Sequence, residues 1–247
     1  MFKGILFIIG AVLGSFFNVC IYRLPKDISI VFPGSFCPKC NVSIKWYDNI
    51  PILSFFVLKG RCRHCKEGIP IRYLLVEVLT ACLYFYLGNL YGLKLELLIW
   101  LFFFSLLILI AFIDLETFFV LDKVVYPGIA VGILLYIFLW RDLEHILGLV
   151  FGGGLIFLVA KLSSLILKME GMGSGDVWIV GLIGLFLGFR LLISSLLISS
   201  IFAIIIGGSL ILMGRKKRRD YISYGPYLAF GALVSFVFKE RISCLFL

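Results

Sequence analysis

Two acidic residues stand where hydrophobic runs end or begin: Asp114 in Phe112-Ile113-Asp114-Leu115-Glu116, and Asp176 in Gly173-Ser174-Gly175-Asp176-Val177. Carboxyl groups near or within apolar stretches are costly, and for that reason they are functional suspects. Two of them held close together cannot both ionise cheaply, so they share a proton. One then activates water as a base while the other protonates the developing oxyanion. That is the chemistry of an aspartic protease. The glycines ahead of Asp176 lack Cβ atoms and would let an extended peptide approach its carboxyl group. A blander account stays open at this level: two solvated aspartates at helix ends, Asp176 at an N-terminus where the helix dipole favours an anion. Helix direction also predicts a division of labour, with the anion on Asp176 and the proton on Asp114 near the negative end of its own helix. Asp122 and Glu116 are weaker candidates that line the intervening loop. Glu77, inside Leu74-Leu75-Val76-Glu77-Val78-Leu79, must face a polar interior or pair with a basic neighbour such as Arg72, in a supporting role.

Cys37-Pro38-Lys39-Cys40 and Cys62-Arg63-His64-Cys65 form two Cys-x-x-Cys knuckles separated by 21 residues. This spacing reads as a structural zinc site, because each knuckle gives two thiolates from a tight turn and four complete a tetrahedral shell. Lys39, Lys45, Lys59, Arg61, Arg63 and Lys66 would offset its negative charge. Two disulfides are the alternative, and a reducing compartment disfavours them. His64 could replace a cysteine, although four sulfurs already fill the shell. Cys20, Cys82 and Cys244 lack partners and are expected to pack in the core.

The elements that must position these groups are membrane helices. The chain of 247 residues is 62% hydrophobic and 15% charged, against about 25% charged in an ordinary globular domain. Its apolar residues come in runs of the roughly 20 needed to cross a bilayer. Eight spans are expected, at about 4–22, 73–91, 96–113, 123–140, 146–167, 177–189, 191–213 and 222–238. The class is an all-α polytopic membrane protein with the lipid bilayer as its partner: a first span (1–22), a cytoplasmic zinc loop (23–72) and a seven-helix membrane core (73–247). The net charge of +9 gathers in two inter-helix loops, one with nine Lys/Arg between Arg23 and Arg72, the other Arg215-Lys216-Lys217-Arg218-Arg219. Eight spans put both on one side, which the positive-inside tendency makes cytoplasmic, leaving both termini outside. A nucleic-acid partner is not needed to explain the charge. No small-residue cleavage site follows the N-terminal apolar run, so it is expected to be a retained helix.

These residues taken together resemble the prepilin peptidase, or type IV leader peptidase, family. Gly14-Ser15-Phe16-Phe17-Asn18-Val19 with Tyr22-Arg23-Leu24-Pro25 is similar to its N-terminal signature. The cysteine knuckles, Asn49-Ile50-Pro51, Gly60-Arg61-Cys62 and Tyr73 through Glu77 follow in the family order. Asp114 heads a stretch similar to the Asp-x7-Asp segment ending at Asp122, Gly173-Ser174-Gly175-Asp176 matches Gly-x-Gly-Asp, and Gly225-Pro226-Tyr227-Leu228-Ala229-Phe230-Gly231 resembles the C-terminal motif. Leu121 and Trp178 depart from the family's usual proline and lysine. The resemblance implies a bacterial inner-membrane aspartic endopeptidase that cleaves leaders from prepilins or pseudopilins at the cytoplasmic face, with Asp114 and Asp176 catalytic. It implies Cys37, Cys40, Cys62 and Cys65 as zinc ligands. It also implies N-methylation of the new N-terminus by S-adenosylmethionine, for which no dinucleotide-type glycine loop is visible. The alternatives are a peptidase without methyl transfer, a transporter with an acidic pair, for which no convincing inverted repeat is visible, and an assembly scaffold.

Overall fold

The structure is a computed structural model that describes residues 1–167, 173–217 and 222–245. A backbone in lipid has no water to satisfy its polar groups, so the apolar runs close their hydrogen bonds internally as helices. Ten form among the described residues: α1 (Phe2–Arg23), α2 (Leu53–Val57), α3 (Ile71–Tyr91), α4 (Leu95–Thr117), α5 (Asp122–Leu135), α6 (Leu143–Leu167), α7 (Ser174–Leu187), α8 (Phe189–Leu212), α9 (Gly225–Val237) and α10 (Lys239–Leu245). A π-helical turn, Tyr136–Trp140, prolongs α5.

Among the described residues six helical segments are long and apolar enough to cross a membrane: Phe2–Lys26, Ile71–Tyr91, Leu95–Thr117, Asp122–Trp140, Leu143–Leu162 and Phe189–Leu212. The sixth and eighth expected spans are present as the shorter apolar helices α7 and α9, of 14 and 13 residues. Helix starts and stops explain the shortfall. Gly188, with φ of 80°, ends α7 and opens α8 directly, while Pro226 in the first turn starts α9 three residues later than expected. Many large apolar side chains on the long helices remain exposed, such as Phe138 and Ile204. That is the pattern of a surface solvated by acyl chains. Arg218 and Arg219 of the second basic block lie outside the described residues.

The chain divides into two compact units, Met1–Leu109 and Ile110–Leu247. In the first, α1 packs along α3. A Cβ on Gly10 would lie 2.8 Å from Ala81 Cα, and one on Gly14 would lie 2.8 Å from Glu77 Cα. The Gly-x3-Gly spacing therefore lets the two backbones meet, as small residues do between membrane helices. Asn18 adds a hydrogen bond from Nδ2 to the Tyr73 carbonyl at 3.0 Å. In the second unit α7 packs against α5, α6, α8 and α9, and α8 against α9. Ile179, Val180, Leu182, Ile183, Leu185 and Phe186 of α7 are fully buried. The short helix is the core of its unit.

Candidate functional site

The second unit brings the two aspartates together across 62 residues of sequence. Asp114 lies in the last turn of α4 and is 4% exposed; Asp176 lies in the first turn of α7, whose N-cap is Gly173, and is 8% exposed. They are near enough that the charge of Asp114 acts on Asp176. Solvated helix-end aspartates would be exposed, whereas these two are buried and interact electrostatically. The weaker candidates Asp122 and Glu116 are exposed.

A third element completes the site. The backbone N–H of Gly225, at the start of α9, donates to Asp114 Oδ2 at 2.8 Å. A Cβ on Gly225 would lie 2.7 Å from that same oxygen, so any side chain there would displace the carboxyl group. Preceding it, Tyr224 is half-buried, with its hydroxyl 3.2 Å from Ser200 Oγ and within reach of the Asp176 charge. The sequence reading missed Tyr224 and the Gly225 donor. Pro226 was the available signal, since proline in a first turn marks a helix start whose leading N–H groups are free. The donor bears on the expected division of labour: Asp114 meets the positive end of α9 as well as the negative end of α4, while Asp176 lies at the positive end of α7 with a backbone hydrogen bond at Gly173. Trp178, where the family commonly has lysine, is partly exposed and meets Tyr126 edge-on at 5.4 Å.

In the first unit the four expected ligands converge: the sulfurs of Cys37, Cys40, Cys62 and Cys65 all lie within 4.8 Å of one another. The Cys37 and Cys65 sulfurs are 3.8 Å apart, which is the edge of a tetrahedron with metal–sulfur bonds of about 2.3 Å. The residues therefore fit zinc. The two knuckles are copies of one hairpin. Cys37 N–H donates to Val42 and Cys62 N–H to Glu67, while Phe36 bridges Ser43 and Arg61 bridges Gly68. Asn41 and Lys66 both turn with positive φ, 55° and 60°. Each partner in the second knuckle follows its counterpart by the same 25 positions (36 to 61, 41 to 66, 43 to 68). Backbone N–H groups of Cys65 and His64 draw the Cys62 thiol down to about 7, toward the thiolate a metal needs. His64 is exposed and outside the cluster.

Other buried polar groups tie this loop to the helices. Arg23, 3% exposed, donates to the carbonyls of Ser29, Pro33 and Gly34 at 2.9, 2.7 and 2.9 Å. Glu77 finds its polar interior in the Ile52 N–H, at 2.7 Å, which answers the choice left by the sequence. Arg63 clamps Asp48 with two bonds of 2.7 and 2.6 Å and holds its carboxyl below the usual range. Cys20 is buried as expected, whereas Cys82 is exposed. On a membrane-length helix an outward-facing thiol meets acyl chains, so core packing is not required of it. The side chain of Cys244 lies outside the described residues.

The family model described as "Bacterial Peptidase A24 N-terminal domain" matches residues 8–90, and that described as "Type IV leader peptidase family" matches residues 101–208. The first range holds all four cysteines and the second both aspartates. A Bacillus subtilis protein named prepilin leader peptidase/N-methyltransferase is 31% identical, over 97% of this chain and 95% of its own length. A Pseudomonas putida protein of the same name is 30% identical, over 95% and 90%. One from Myxococcus xanthus is 37% identical, over 84% of this chain and 62% of its own length, so the chain spans less than two thirds of that relative. No solved structure matches the chain.

Proposed function

The chain belongs to the type IV leader peptidase family, and we propose that it is an aspartic endopeptidase and N-methyltransferase acting on prepilins or prepilin-like proteins at the cytoplasmic face of the bacterial inner membrane. The observation that carries the peptidase reading is the buried, electrostatically interacting pair Asp114 and Asp176 with a backbone N–H on Asp114. A hydrogen bond to the charged form favours that form. Asp176 also has a backbone hydrogen bond, at Gly173 of its own helix start, and this reading assigns the anion in the free enzyme to Asp114 and the proton to Asp176. Asp114 takes a proton from water, the water oxygen bonds to the scissile carbonyl carbon, and Asp176 gives its proton to the carbonyl oxygen. As the resulting diol collapses, the C–N bond breaks, the proton on Asp114 goes to the leaving nitrogen, and a diol hydroxyl returns a proton to Asp176. The pair ends as it began.

Cys37, Cys40, Cys62 and Cys65 would hold a structural zinc ion that closes the loop between α1 and α3. For methyl transfer, S-adenosylmethionine would supply an electrophilic methyl group to the amine freed by cleavage. A cavity lined by Lys59, Arg61, Arg63 and Lys66 is the wrong place for it, because the donor itself carries sulfonium and ammonium charges. A transporter reading accounts for a buried acid but not for the backbone donor on Asp114 or for the relatives.

The test is to coexpress a candidate prepilin with the enzyme and read its N-terminus by mass spectrometry. Asp114→Asn and Asp176→Asn should each leave the leader attached, and processing by either variant would remove that residue from the chemistry. Infrared spectra of Asp176→Asn at neutral pH should show Asp114 as a carboxylate. A protonated-acid band there would reverse the two roles.

A further inference from the structure

The loop between α1 and α3 carries features that neither the aspartate pair nor the zinc shell uses. The five-residue α2 sets Leu53, Phe56 and Val57 at i, i+3 and i+4, which is one face of a helix. All three are exposed, Val57 to 72%. Trp46, 80% exposed, sits in the 3₁₀ turn Trp46–Asn49 that packs beside α2. Directly after this apolar patch comes a cavity of about 460 Å³ that borders the cysteine cluster at Cys62 and is lined by Val57, Leu58 and the basic side chains Lys59, Arg61, Arg63 and Lys66. Asp48 engages Arg63, whereas Lys59, Arg61 and Lys66 are exposed and make no ion pair among the described residues.

The loop is also tethered at both ends. It leaves the first membrane-length segment after Lys26 and enters the next at Ile71, so a lipid surface is always within its reach. Exposed aromatic and aliphatic side chains beside exposed cations are what binds a protein to an anionic leaflet. We propose that this face of the loop is a docking surface for anionic lipid. Trp46, Leu53, Phe56 and Val57 enter the acyl boundary, and Lys59, Arg61 and Lys66 hold lipid phosphates at the cavity. Continuity with the spans and the sign of the charge favour lipid over a protein partner. The surface is independent of the peptidase chemistry and survives if that reading fails.

The experiment uses the full chain with Trp46 as its sole tryptophan (Trp100→Phe, Trp140→Phe, Trp178→Phe). It is reconstituted into vesicles of phosphatidylcholine alone or mixed with phosphatidylglycerol, with brominated acyl chains as quencher. Trp46 fluorescence should be strongly quenched in the anionic vesicles and weakly in the neutral ones. Each cation at an anionic surface strengthens binding by about fivefold, so neutralising three lowers the docked-to-free ratio on the order of 100-fold. Lys59→Gln/Arg61→Gln/Lys66→Gln should therefore return quenching to the neutral-vesicle level, with zinc content read in the same samples as a separate report on the knuckles. High salt should do the same to the unaltered loop, which keeps the test valid if the triple variant misfolds. Equal quenching in both lipids, or anionic-lipid quenching that survives salt, overturns the proposal. So does a Trp46 shielded from aqueous iodide but untouched by brominated lipid, since protein would then cover the face.

Discussion

Exchanging a carboxylate for an amide keeps the shape of the side chain and removes its proton chemistry. Asp114→Asn and Asp176→Asn should each lower leader cleavage by about 10³-fold or more, and the double variant should be little worse, because the pair acts as a unit. Gly225→Ala is the sharper test of the geometry. Its methyl group would lie 2.7 Å from Asp114 Oδ2 and push the carboxyl group aside. Displacements of this size cost about 10²-fold in rate, so cleavage assays should show that loss while circular dichroism shows unchanged helix content. The two aspartates were legible in the sequence because acids at the ends of apolar runs are rare and costly. Gly225 was not, because its contribution is a backbone N–H made specific only by where α9 begins.

At the scale of single elements, the four-cysteine cluster was readable in the sequence, since four cysteines in two knuckles leave few other arrangements. Its hairpin repeat and its ties to α1 and α3 were hidden, because they run through main-chain groups that any sequence supplies. The metal should dominate the loop's stability. Cys37→Ser/Cys40→Ser should lose zinc by elemental analysis and expose residues 24–70 to protease, while the membrane helices persist. Arg23→Met should retain zinc but free the carbonyls of Ser29, Pro33 and Gly34. Hydrogen bonds from a charged donor are worth about 1.5–3 kcal/mol each, so hydrogen exchange across residues 29–34 should speed up markedly in that variant.

For the whole molecule, six described helices are long and apolar enough to cross a membrane, and the expected eight spans require α7 and α9 to cross as well. Asp114 ends α4, and Gly225, which touches it, starts α9. Asp176 starts α7 beside the same carboxyl group. The chain must therefore return to one side after α5 and α6, and again after α7 and α8. The helix α8 is long and apolar enough to cross, and a crossing α8 requires α7 to cross with it. Reporter fusions at either terminus should accordingly be active outside the cytoplasm, and a fusion within 213–217 should be active inside; the opposite pattern would discard this topology. The 14 residues of α7 then have a mechanical consequence. They span about 21 Å, against a hydrocarbon core of about 30 Å, and α7 is buried among its neighbours, so where it crosses, water must dip within the helix ring toward the carboxyl groups. A hydrolase needs that water, and a taut membrane supplies it less readily. Cleavage by the purified enzyme should rise in bilayers of short acyl chains and fall as the chains lengthen, making membrane elasticity part of the reaction coordinate.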